Sequence, residues 1–260
     1  MLLQARIPIP LLCKLLTKTQ AAHMKFGFLS SFSVFFGCSL SVFSYAASLQ
    51  MYPVTVNFCQ GQAARPIYIK NTGPAPIGTQ MRLYLWQQKN NNDVLTPTQD
   101  IISSPPIAAI PAGKQQLVRL IIPGNSKGHE QAYRLIVDEL PDTKSNTSTS
   151  QVKFLLRYSI PVFLSCSETK TDISKIRASL DTSGATPRLF IKNTNAQHIK
   201  LSNVSLISAE KKLVINPGLM GYVLPGSEMS WFLPKGMNKG TSLSVTINDN
   251  ETNKTINLTR

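Results

Sequence analysis

The chain is short of charge, cysteine and histidine, and each shortage closes off a class of function. Only 15% of its 260 residues are charged while 42% are hydrophobic, a balance that argues against a disordered chain held open by self-repulsion. The four cysteines, Cys13, Cys38, Cys59 and Cys166, include no Cys-x-x-Cys pair, so a zinc ribbon or thioredoxin-type site has no ligand set. The three histidines, His23, His129 and His198, stand alone, which leaves no cluster for a metal or a catalytic triad. The residues predict neither an enzyme nor a cofactor or metal site. A sustained helical period is missing as well.

The N-terminal region contains no acid, yet it holds Arg6, Lys14, Lys18 and Lys25. From Met24 the chain reads Met-Lys-Phe-Gly-Phe-Leu, then an apolar stretch to Phe43, then Ser44-Tyr45-Ala46. A short positive segment, an apolar run and small residues at a cleavage point are the three parts of a secretory signal. Residues 1–46 are therefore predicted as a leader removed after Ala46, with Met1 or Met24 as the start. Five serines interrupt the apolar run, so no membrane insertion is expected after cleavage. Removing 46 residues takes four of the 27 basic residues and none of the 13 acidic ones, leaving 23 against 13, a net +10. These basic residues are scattered rather than gathered on one element with aromatics between them, so nucleic acid is not predicted as a partner. Export leaves Cys59 and Cys166 in an oxidising compartment.

What the mature chain does contain is short β-branched and aromatic runs, divided by turn signals every 8–14 residues or so, the spacing of an all-β sandwich. A first domain is predicted over 47–165 with seven strands, including Val54–Phe58, Ile67–Ile69, Met81–Trp86, Gln116–Ile122, Ala132–Leu140 and a long run from Gln151 to Leu164. A segment between Pro105-Pro106 and Pro111 reads as an edge strand, since proline cannot donate to a central ladder. A second domain is predicted over 166–260, with strands near Ile199–Ile207, Leu213–Ile215, Tyr222–Leu224, Met229–Leu233, Leu243–Ile247 and Thr255–Leu258. Leu189-Phe190-Ile191-Lys192-Asn193-Thr194-Asn195 echoes Ile67-Tyr68-Ile69-Lys70-Asn71-Thr72-Gly73, which suggests two related immunoglobulin-like sandwiches. Trp86 and Trp231 read as core residues.

Several strings carry a family resemblance. Leu156-Arg157-Tyr158-Ser159-Ile160-Pro161-Val162-Phe163 resembles the last first-domain strand of periplasmic chaperones of the chaperone–usher pathway, the PapD-like group, and its archaic branch in particular. Trp86-Gln87-Gln88, Ser104-Pro105-Pro106, Gln116-Leu117-Val118-Arg119-Leu120 and Tyr133-Arg134-Leu135 follow that group's first-domain order. Gly221-Tyr222-Val223-Leu224-Pro225-Gly226 is similar to a second-domain motif. The resemblance spans nearly the whole mature chain. It implies an L-shaped pair of sandwiches in the periplasm that stabilises pilus subunits by donor-strand complementation and delivers them to an outer-membrane usher. Strand addition of this kind is a known mode of recognition at sheet edges. The rival reading is a secreted immunoglobulin-like binding module without chaperone activity. The polar loops at 87–93 and 142–150 lack the exposed aromatics such a module would use.

The resemblance also implies a site. Val152, Phe154 and Leu156 share one face of a strand and are the candidate donor residues. Arg157 falls where a carboxylate anchor for the subunit's C-terminus belongs, on the opposite parity. The group's other anchor, an arginine on the first strand, is missing here, with Thr55 near its place; Arg119 and Arg134 are the substitute candidates. Cys59 and Cys166 are a candidate disulfide, with two free thiols as the alternative. Self-association that covers a free donor edge is a further expectation.

Overall fold

The structure is a computed structural model that describes residues 49–59, 61–124, 129–141, 154–164, 171–209, 211–249 and 252–259. The leader, Val152 and Cys166 lie outside the described residues. All of the described residues fall within one compact unit, Tyr45–Arg260.

Ten strands build the first half where seven were expected. β1 (Leu49–Tyr52) and β2 (Val56–Phe58) replace the single predicted first strand. A cis Tyr52–Pro53 bond lies between them, and each strand joins a different sheet. β3 (Ala64–Asn71) and β8 (Gln115–Ile121), with β1 and the short β6 (Ile102–Ser104), form a four-stranded sheet ordered β1-β3-β8-β6. Opposite it stands a six-stranded sheet built on β4 (Ile77–Lys89), β9 (Gln131–Glu139) and β10 (Arg157–Leu164). Its order is β2-β10-β9-β4-β5, with β5 at Asn92–Pro97 and β7 (Ile107–Ile110) pairing with β4. β7 is the proline-bracketed edge segment, and among the described residues its only strand partner is β4. Asn90 and Asn91 both take positive φ, the primed turn that a two-residue hairpin between β4 and β5 demands.

Alternation decides what is buried. On β9, Tyr133, Leu135 and Val137 point into the core with Ile67, Ile69, Val118 and Leu120 from the facing sheet. Ala132, Arg134, Ile136 and Asp138, one residue out of phase, occupy the outer face.

The second half begins with a 3-10 turn at Ile173–Lys175, capped by the Asp172 side chain. It contains β11 (Ile176–Asp181), β12 (Arg188–Asn193), β13 (Ile199–Ser208), β14 (Lys211–Val223), β15 (Glu228–Phe232), β16 (Ser242–Ile247) and β17 (Lys254–Thr259). They run β14-β13-β16-β17-β11-β12-β15 and wrap one core that draws on every strand, Leu189, Ile191, Leu201, Leu206 and Val245 among its residues. β14 joins two stretches predicted as separate strands. The ladder slips between Asn216 and Leu219, so Pro217 sits in a bulge on an edge strand, where its missing N–H costs no ladder bond.

The sequence echo has a structural counterpart. Asn71 and Asn193 are both fully buried at the ends of β3 and β12. Asn71 Nδ2 donates to the carbonyls of Ala75 and Ile110, while its Oδ1 accepts from the Gly73 N–H. Asn193 repeats the pattern with the carbonyls of Gln197 and Val223 and the N–H of Asn195. Each asparagine therefore ties a turn to a neighbouring strand.

The two halves meet through a small apolar cluster: Trp86, Ala132 and Phe163 from the first, Tyr222 and Leu224 from the second. Trp86 is thus buried at the joint and not in the first half's core, whereas Trp231 packs against the second core as expected. Gln88 bonds the second half's backbone in both directions, Nε2 donating to Tyr222 O at 2.9 Å and Oε1 accepting from Leu224 N at 2.8 Å. Glu130 adds a polar tie by accepting from the His198 backbone at 2.6 Å and lying 2.9 Å from its Nδ1. The His198 ring stacks on Phe163, centroids 3.4 Å apart.

A candidate strand-donating edge and its arginines

β10 pairs with β9 along its whole length, from Arg157↔Asp138 to Leu164↔Gln131. On its other side it has only β2, which runs parallel to it at Val162–Leu164. Among the described residues, Arg157 to Pro161 therefore present an unpaired backbone edge.

The side chains on the inward face of β10 follow the period of two. Val162 and Leu164 fill the core, Ile160 caps it, and Tyr158, half-buried, donates its hydroxyl to Leu49 O at 2.7 Å. Leu156 and Phe154 continue the same phase beyond the end of the core. They are 38% and 80% exposed, so they do not fill the first half's interior. Among the described residues, regular pairing starts at Arg157, but Leu156 is already tethered. Its carbonyl accepts from Glu139 N at 2.9 Å, and its N–H donates to Glu139 Oε2 at 3.3 Å. The result is an apolar stripe that starts in the core and runs out into solvent along an open edge.

The opposite phase carries charge. Arg157 lies across from Asp138 on the outer face, and its Nε donates to Asp138 Oδ1. Arg82, on β4, donates from Nη2 to Asp138 Oδ2 at 2.5 Å. Burial pushes the Asp138 carboxyl up, but the bonds from Arg157 and Arg82 outweigh it and hold the group below the usual carboxylate range. Arg134 occupies the same face, opposite Pro161. Its guanidinium lies over the Trp86 ring at 3.6 Å and 5.5 Å from the Tyr222 ring. Burial pulls its pKa below the ordinary arginine value, and no carboxylate forms an ion pair with it among the described residues. Asp93 is the carboxylate whose charge reaches it, without a direct ion pair, and a desolvated cation on an aromatic platform suits a planar anion.

The fold separates the other candidates. Arg119 stands exposed on β8, across from Pro66 and Ser104, in the other sheet from Arg134 and Arg157. Thr55 lies between β1 and β2 and supplies no charge. Cys59 is exposed with no disulfide partner among the described residues, and Cys166 lies outside them. Gly124-Asn125-Ser126-Lys127-Gly128 has the spelling of a nucleophile elbow, but residues 125–128 lie outside the described residues. No group of three metal-ligating side chains occurs among the described residues. Sequence reasoning missed Arg82 and Asp138. They are 56 residues apart, and only the β4–β9–β10 register brings them to Arg157.

Comparison with known proteins adds an independent line. Residues 48–170 match a family described as pili and flagellar-assembly chaperone, PapD N-terminal domain. A chain of the CsuC–CsuE chaperone–tip adhesion subunit pre-assembly complex, from archaic chaperone–usher Csu pili of Acinetobacter baumannii, is similar at TM-score 0.63 and 27% identity, over 82% of this chain and 98% of that one. The Escherichia coli chaperone DraB gives 0.57 and 16%, over 82% and 96%. A chain of the Salmonella enterica SafA pilin–SafB chaperone complex gives 0.60 and 14%, over 84% and 98%. The last two speak to the fold alone. No curated protein sequence matches the chain.

Proposed function

We propose that this chain, which belongs to the pili and flagellar-assembly chaperones, protects pilus subunits by lending them the open edge of β10. The observation that carries the reading is the stripe of Phe154 and Leu156, exposed and in phase with the core residues of a strand whose outer edge, among the described residues, is unpaired from Arg157 to Pro161. A subunit lacking a strand would pair its backbone with that edge and seat these side chains in its own open core. Val152 continues the same parity. Burying three such side chains contributes roughly 5–9 kcal/mol before ordering costs. Until then the edge is an aggregation liability, which self-association of the free protein would cover. The leader-like N-terminus supports a periplasmic site of action, and an outer-membrane usher is the proposed acceptor.

The subunit's C-terminal carboxylate needs a cation, and two outer-face arginines are the candidates. Arg134 and Arg157 are four residues apart along the sheet by register, ~13 Å at the rise of a strand, so each marks a separate anchor point. A charge-assisted bond to either is worth about 1.5–3 kcal/mol.

Co-expression in the periplasm with candidate pilus subunits tests the reading. Wild type is expected to keep the subunit soluble and to co-purify with it, whereas Leu156→Asp, which puts a charge on the donor stripe, loses it. Arg134→Ala and Arg157→Ala, run in parallel, identify the anchor as the variant that releases the subunit fastest. Rescue by a folded Leu156→Asp protein would overturn strand donation from this edge.

A further inference from the structure

The arginine on the donor strand is not free to swing. Arg157 is 67% exposed at its side chain, yet its Nε is held by Asp138, whose side chain is only 14% exposed and whose second oxygen is held by Arg82. Three adjacent strands, β4, β9 and β10, thus contribute one residue each to a short ionic chain. Arg82 is held in turn through the Nη2 bond to Asp138, while its Nε is buried without a hydrogen-bond partner among the described residues. Because Arg157 spends only Nε on Asp138, both terminal nitrogens are left without a partner among the described residues. An end-on pair of N–H donors is the half of a guanidinium that takes a carboxylate in bidentate fashion. The chain carries two positive charges and one negative, so an incoming carboxylate brings it to neutrality.

We propose that Asp138 and Arg82 are positioning residues that hold Arg157 with its terminal nitrogens presented to a partner's carboxylate, fixing the register in which a strand adds to β10. The inference rests on the reading of Arg157 as an anchor. Asp138 does not touch the partner; it removes the freedom of a long side chain before binding, so that less is lost when the carboxylate arrives. Arg82 keeps Asp138 charged and aimed.

The test is the rate at which purified chaperone–subunit complexes dissociate, measured for wild type, Asp138→Asn, Arg157→Ala and the double variant, with Arg82→Lys as a milder change that keeps the charge. Asp138→Asn and Arg157→Ala are each expected to release the subunit roughly tenfold faster. The double variant should be no faster than Arg157→Ala, because both changes remove the same interaction. Arg82→Lys should fall between wild type and Asp138→Asn. Multiplying effects in the double variant would make Asp138 a general stabiliser and overturn the proposal. Slower release from Asp138→Asn would make it a competitor of the subunit and overturn it equally. If Arg157→Ala releases at the wild-type rate, the anchor reading falls and takes this inference with it, while strand donation still stands or falls by Leu156→Asp.

Discussion

Asn71 and Asn193 show how much one buried polar side chain can organise. Each satisfies two carbonyls and one N–H, and alanine at either position would leave one buried and one part-buried acceptor unpaired. A loss of about 1–3 kcal/mol is expected for each substitution, read as a lower urea midpoint at unchanged m; a midpoint shift under a few tenths of a molar would show that water replaces the side chain. Asp138 carries a pH prediction. Its carboxyl is held below the ordinary range, so the ion pairs contribute fully above that range and fade as pH falls through the lowered value. The melting-temperature gap between wild type and Asp138→Asn should close on acidification; a gap that stays constant from neutral to acidic pH would count against it. The asparagines were legible as a repeated string, because the motif is local. The Arg82–Asp138–Arg157 chain was not, because strand register creates it.

At the scale of the element, the legible part was alternation. The parity of Phe154, Leu156 and Arg157 is a property of any strand, and it could be assigned before the partner strands were known. The strand ends were harder. Regular pairing begins at Arg157 because β9 ends at Glu139, and nothing in residues 151–156 encodes that limit. The first strand was misread for a related reason, since Val54 and Thr55 alternate correctly but lie between two sheets. In β14, Gly221 has φ +156, and a Cβ there would lie 3.1 Å from Trp231 Cζ2. Gly221→Ala should therefore lower the melting temperature and shift near-UV signals from Trp231, at a cost of about 1–3 kcal/mol. An unchanged near-UV spectrum would mean that the indole yields without loss.

At the scale of the whole molecule, two sandwiches were legible from turn spacing, but their joint was not. Trp86 looked like any core tryptophan, and its partners Tyr222 and Leu224 come from the other half. Truncating it removes the largest side chain from a cluster of five and should cost about 3–5 kcal/mol. Interfaces this small leave halves free to move unless packing holds them. Calorimetry of Trp86→Ala is expected to resolve two unfolding steps where wild type shows one; a single displaced transition would mean that the halves stay coupled without it. The same residue has an optical consequence. With Arg134 stacked on its ring at 3.6 Å, the Trp86 indole senses the charge of that guanidinium, and a carboxylate settling on Arg134 would neutralise it. The protein therefore contains an intrinsic fluorophore at one of the two proposed anchor points, and a change in Trp86 emission would report occupancy there without any label.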